Sequence, residues 1–217
     1  MIGTEEFLKA AEDGDLDTVK AFVTGEGRSY MNCADRAGFT ALHLVAQHNH
    51  AAIARFFVSC GANLELGNSY QRTPFMSACV CNAYDVAKVF LDSGCKVNVR
   101  DRAGCTPLHY CCNVRDERFI DLILSHGADV NIKDNAGTTP LHIAAKAFRP
   151  DLVSRLLQKG ASVETTDEEG KNALDYILSF PAHDPKREEI LNLFREHAPE
   201  AILTAFCENR LEVVPGV

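Results

Sequence analysis

Threonine stands at Thr40, Thr73, Thr106 and Thr139, each 33 positions after the last. Glycine keeps the same interval at Gly61, Gly94, Gly127 and Gly160, and a third column reads Asp35, Asn68, Asp101, Asp134 and Asp167. Three columns sharing one period define a tandem repeat array, in which each unit buries its apolar face against its neighbours alone. The terminal units of such an array must therefore be atypical and more polar on the outside.

Within each unit the residue types suit their places. In "TPLH" at 106–109 and 139–142, Thr106 and Thr139 are typed as helix N-caps, and Pro107 and Pro140 take the first helical position, where a missing N–H costs nothing. A short helix with small residues follows. A second helix carries apolar pairs at helical spacing in "DVAKVFLDSG" (85–94), "RFIDLILSHG" (118–127) and "DLVSRLLQKG" (151–160), each closing on a glycine suited to a left-handed cap. The connector "ADVNIKDNAG" (128–137) is turn-rich with brief extended character, which predicts a hairpin projecting to one side.

The period together with D-x-x-G-x-T-P-L-H-x-A closely resembles the ankyrin repeat, from about Thr4 to about Ala198. The resemblance implies an α-class solenoid of about six helix-pair units with short β-hairpin fingers at right angles to the helices. The expected boundaries are a repeat domain at 1–198, with units near 4–34 (N-terminal cap), 35–67, 68–100, 101–133, 134–166 and 167–198 (C-terminal cap). Residues 199–217 are then a capping helix or tail. The first unit lacks the threonine motif but keeps Phe7, Leu8, Ala10, Ala11, Val19 and Phe22 for an inner face. The sixth has Asn172 in the threonine column and an insertion of about four residues at "PAHDPK" (181–186). The third unit departs furthest from the pattern: Gln71 replaces the usual glycine and Met76 the usual histidine. Gln71 disfavours the ordinary finger turn, so a repositioned or mobile finger is expected there; because that finger carries Tyr70, the deviation reads either as functional or as neutral drift.

The stretch "DRAGCTPLHYCC" (101–112) sets one histidine among three cysteines and invites a metal or redox reading. The repeat dissolves most of it. His109 shares a column with His43 and His142, and by resemblance this histidine hydrogen-bonds within and between hairpins. Cys111 and Cys112 share columns with Val45, Ala78, Ala144 and with Ala46, Cys79, Ala145, slots for small buried residues that cysteine fills as a compact apolar side chain. Neighbouring helices about 8–10 Å apart hold equivalent cysteines beyond disulfide reach. Repeat-equivalent residues also point in parallel rather than converging as four zinc ligands must. Cys105, at a finger position, is expected to be exposed.

A net charge of −8 argues against generic nucleic-acid affinity. The N-terminus has no secretory character, no stretch approaches a membrane span, and nine cysteines without a framework read as reduced thiols, so the expected location is the cytoplasm or the nucleus. No phosphate-binding, dinucleotide-binding, zinc-protease or nucleophile-elbow motif occurs. The chain therefore reads as non-catalytic, without a cofactor, metal or evident small-molecule substrate.

By resemblance, partners bind along the concave face of finger tips and inner helices. Carried over position by position, that face is Arg36, Phe39, Gln47, His48, Tyr70, Arg72, Val80, Arg102, Asn113, Arg115, Lys146, Phe148 and Arg149. It is basic and partly aromatic in an acidic protein, which suits a partner protein with an acidic or aromatic-bearing segment. The expected function is a protein-interaction scaffold or adaptor. Two alternatives stay open. The spacing Leu203, Cys207, Leu211 resembles an elongin-binding box and would make the chain a substrate receptor of a cullin-type ubiquitin ligase. The chain could also be the N-terminal targeting module of a larger enzyme.

Overall fold

The computed structural model describes residues 2–25, 28–114, 116–197 and 200. They fall into two compact units, divided between Ala128 and Asp129. Among the described residues there are twelve α-helices, packed as consecutive pairs.

The first unit holds α1 (Ile2–Asp13), α2 (Leu16–Gly25), a 3-10 turn (Arg28–Asn32), α3 (Ala41–Gln47), α4 (Ala51–Ser59), α5 (Pro74–Val80), α6 (Tyr84–Asp92), α7 (Pro107–Cys111) and α8 (Glu117–Ser125). The odd-numbered helices form an inner row, with α1 on α3, α3 on α5 and α5 on α7. The even-numbered helices form the outer row, α2 on α4, α4 on α6 and α6 on α8. The second unit repeats the plan with α9 (Pro140–Lys146), α10 (Pro150–Gln158), α11 (Ala173–Leu178) and α12 (Pro185–His197), α9 packing on α11 and α10 on α12.

Thr40, Thr73, Thr106 and Thr139 cap α3, α5, α7 and α9. In three of these helices the histidine at the third helical position turns back on its cap. The Thr40 N–H donates to His43 Nδ1 at 3.1 Å, and Thr106–His109 and Thr139–His142 repeat the bond at the same distance. A ring nitrogen that accepts a backbone N–H carries no proton, so Nε2 holds it and donates onward. His43 Nε2 reaches the Arg72 carbonyl at 2.8 Å and His142 Nε2 the Lys171 carbonyl at 3.1 Å, each on the finger of the following repeat. Met76 breaks this series; at α5 the half of the cap in which the Thr73 hydroxyl accepts the Met76 N–H is kept, at 3.3 Å, and the return bond from the side chain is lost.

Phe57, Phe90, Ile123 and Leu156 occupy one outer-helix column and are fully buried, as are Leu141 and Leu174 on inner helices. Burying one such side chain contributes about 1.5–3 kcal/mol. Cys79, Cys111 and Cys112 are also fully buried, in the small slots of the inner row. At the N-terminal end Phe7 packs edge-on against Phe22 (5.6 Å) and Phe57 (6.0 Å), which closes the first helix pair onto the second.

The fingers are tighter than hairpin ladders. Each is closed by a bond from its first residue to its fifth: Asp35 to Phe39 (3.0 Å), Asn68 to Arg72 (2.9 Å), Asp101 to Cys105 (3.0 Å), Asp134 to Thr138 (2.9 Å) and Asp167 to Lys171 (2.9 Å). The same Asp or Asn side chain accepts two further backbone N–H bonds, as Asp101 Oδ1 does from Ala103 (2.9 Å) and Cys105 (3.0 Å). With those groups satisfied inside the turn, little is left for strand pairing. Among the described residues one isolated antiparallel bridge, Ala34–Thr40, is formed. Gln71 corrects the expectation of a displaced third finger: it takes φ 59° where Gly38, Gly104 and Gly137 take 79°, 78° and 72°, so the turn is kept and the side chain bears the strain.

Candidate protein-interaction face

In the first unit the predicted face residues lie on fingers and on the inner helices or the turns after them. Arg36 and Arg102 are exposed at finger tips, Phe39 is half-buried edge-on to His43 at 5.7 Å, and Gln47 is half-buried at the end of α3. His48 is exposed and stacked on His50 at 5.8 Å, with its Nε2 3.8 Å from Glu12. Asn113 is exposed, its amide 3.4 Å from the His109 carbonyl. Arg115 and the Leu203, Cys207, Leu211 spacing lie outside the described residues.

Tyr70 and Val80 are the large hydrophobic side chains left exposed among the described residues, at 54% and 46%. Both belong to the third repeat, one on its finger and one at the end of its inner helix α5. That repeat also has Met76 in place of the cap histidine.

Arg72 makes the link there. Its Nε donates to Asp101 Oδ2 at 3.2 Å and to the Tyr110 hydroxyl at 3.1 Å, while Tyr110 donates to the same Asp101 oxygen. The guanidinium carbon lies 4.9 Å from the Tyr110 ring centre and 5.5 Å from that of Tyr70, within cation–π range of both. The Arg102 N–H closes the group by bonding the Tyr70 carbonyl at 2.9 Å. Burial pushes the Asp101 carboxyl up, but the Tyr110 hydroxyl, Arg72 and two backbone N–H groups outweigh it and hold the acid below its ordinary 3.8. Burial and the Asp101 bond together push the Tyr110 phenol up. Arg72 stays charged: burial opposes the charge, and the Asp101 and Tyr110 bonds more than offset it.

The second unit uses the same parts with a different cation. Tyr176 donates to Asp167 Oδ2, and Lys146 Nζ sits 3.6 Å from that oxygen and 4.3 Å from the Tyr176 ring centre. The bond to Asp167 raises the Tyr176 phenol to about 12. Phe148 takes φ 53° and stacks on Phe180 at 3.8 Å, and Arg149 pairs with Asp151 at 2.7 Å. Lys146, Phe148 and Arg149 are thus each engaged within their own unit.

Asp101 and Tyr110, which hold Arg72 in place, were not singled out for that role in the sequence reading. The signal was present: an aspartate and a tyrosine nine positions apart, at 101 and 110 and again at 167 and 176, in a column otherwise filled by Leu44, Ser77 and Ile143.

A groove of about 390 Å³ lies elsewhere, between the outer helices α4 and α6, lined by Arg55, Val58, Asp85, Lys88, Val89 and Asp92 among others. Lys88 pairs with Asp92 at 3.4 Å, Asp85 accepts from the Asn49 amide at 3.1 Å, and neither valine is exposed. It is the weaker candidate. Among the described residues no group of three His, Cys, Asp or Glu side chains could hold a metal, and no helix is long and apolar enough to cross a membrane.

Residues 7–101 and 95–167 match the family model of ankyrin repeats (3 copies), and the chain belongs to that family. A chain from the solved complex of a predatory endopeptidase from Bdellovibrio bacteriovorus with an immunity protein is similar to it. The two share 26% sequence identity with a TM-score of 0.71, over 91% of this chain and 96% of that chain. No curated protein matches the sequence.

Proposed function

We propose that the chain is a non-catalytic protein-interaction module that holds a partner protein on its fingers and inner helices, centred on the third repeat. The observation that carries this is the placement of Tyr70 and Val80. A fold gains nothing by leaving Tyr70 and Val80, the large apolar side chains exposed among the described residues, in one repeat, on the side where Arg72 and Arg102 also lie. The similar solved structure is a complex between two proteins, which supports the same mode of action. A cytoplasmic adaptor or scaffold is the cellular role this reading favours, with an acidic protein segment as the ligand.

The test is partner capture from the source cells with the wild-type chain, with Tyr70→Ser/Val80→Ser, and with Arg55→Ser/Val89→Ser on the outer helices. Loss of a specific partner with the first variant and retention with the second is expected. The reverse pattern would move the site to the α4–α6 groove.

A further inference from the structure

We infer that Arg72 is a built receptor for one carboxylate side chain of a partner segment, gripped end-on by its two terminal nitrogens; this rests on the interaction face proposed above. Arginine binds a carboxylate with two parallel N–H bonds, either from Nε and one terminal nitrogen or from both terminal nitrogens. Here Nε is committed to Asp101 and Tyr110, which leaves the second mode. Nη1 and Nη2 have no hydrogen-bond partner among the described residues, and neither is buried. The side chain is 35% exposed while the Asp101 side chain is only 1% exposed, so the anchor is dry and the fork accessible.

Such a fork is already ordered. Two bonds from Nε, two aromatic rings, and a backbone held at both ends by Asn68 and His43 fix Arg72 before any ligand arrives. The rotamer entropy a free surface arginine loses on binding has been spent on folding. Lys146, the counterpart in the second unit, offers no such fork, since its single nitrogen points at Asp167 and Tyr176.

The chemistry selects the anion. Asp101 already balances much of the Arg72 charge, so a monoanion suits the site better than a dianionic phosphate. The exposed Tyr70 ring beside the guanidinium favours an apolar neighbour next to the acid. The ligand is therefore a peptide segment carrying aspartate or glutamate beside an apolar residue.

The experiment selects binders to the full chain from a randomised, unphosphorylated peptide library. The best peptide is then measured against wild type and Arg72→Lys with its acid intact, changed to the amide, and changed to phosphoserine. Circular dichroism checks that the lysine variant is folded. Expected are enriched peptides with an acid beside an apolar residue, and a loss of about tenfold for either the amide peptide or the lysine variant, not compounded when both are made. The amide peptide on the wild-type chain tests the claim without any change to the protein. Equal binding of acid and amide peptides overturns the receptor. If Tyr70→Ser still weakens those peptides, the interaction face survives that result, and if it does not, both fall. Tighter binding of the phosphoserine peptide replaces the carboxylate by phosphate and overturns the assignment. A selection that enriches nothing counts against face and receptor alike.

Discussion

The Nε2 of His43 and the carbonyl oxygen of Arg72 lie 2.8 Å apart, and that bond ties the inner helix α3 to the third finger. It requires a neutral ring, because Nδ1 accepts the Thr40 N–H. Burial lowers the His43 pKa below 6.5, opposed by the Arg72 carbonyl bond and Asp35, and His142 is shifted the same way.

A folded-state pKa below the unfolded one means that the unfolded chain takes up protons first as pH falls. The stability that His43 and His142 contribute is complete above 6.5 and is lost as pH falls from there toward their lower folded values. Thermal melting should therefore drop between about pH 7.5 and about pH 5.5. A His43→Gln/His142→Gln variant should melt lower at neutral pH and show a flatter pH profile. Parallel profiles for the two proteins would contradict this.

Asp101→Asn removes the acceptor shared by Arg72 and Tyr110. A loss of about 1–3 kcal/mol at neutral pH is expected from urea unfolding, the range for breaking a charged, buried hydrogen-bond set. Asp101 titrates below 3.8, so its contribution is full above that value and is lost as pH falls through the lower folded one. The gap between variant and wild type should close in acid. Ultraviolet titration should also show the Tyr110 phenol ionising at lower pH in the variant.

The repeat pattern made the helices legible because Thr40, Pro107, His43 and the terminal glycines act locally, each through its own cap or turn. Cys79, Cys111 and Cys112 were legible as packing residues because their columns elsewhere hold alanine and valine. The face was harder to read. Arg72 was chosen for its type and finger position, yet its role depends on Asp101 and Tyr110, 29 and 38 positions away. Phe148 and Arg149 were chosen on the same grounds, and Phe180 and Asp151 occupy them. Tyr110, Asp151 and Phe180 lie in variable columns, where the period carries no information, and the column of Asp101 is read first as the residue that closes each finger. Gln71 was misjudged for another reason: the closing bonds of the finger outweigh the preference of one residue.

Gln71→Gly should stabilise the first unit. Left-handed backbone costs a non-glycine residue about 1 kcal/mol or more, and the entropy glycine adds to the unfolded chain offsets part of the relief, leaving a gain of roughly 0.5 kcal/mol. In the second unit Gly137→Ala should do the opposite. Its φ is 72° and an added Cβ would come 3.0 Å from the Asp167 Cα, so a loss of about 1–3 kcal/mol is expected. Urea midpoints of both variants measure the pair, and a destabilised Gln71→Gly would contradict the strain assigned to that turn.

Thiol labelling should separate the cysteines by burial. Cys81 is exposed and should react in the native protein, whereas Cys79, Cys111 and Cys112 should react only on unfolding. Burial and contact with Cys79 push the Cys111 thiol well above its ordinary value, which slows it further. Peptide mapping after a brief alkylation pulse reads the order, and early modification of Cys111 would show that the α5–α7 packing opens in the native state.

The most direct test of the interaction face is photo-crosslinking from single positions. A photoreactive side chain placed at Tyr70 or Val80 should form a discrete adduct with a partner in source-cell extract, and one placed at Lys88 on the outer helix should form none. Adducts from Lys88 with silence at Tyr70 and Val80 would place the partner on the outer helices and contradict the account.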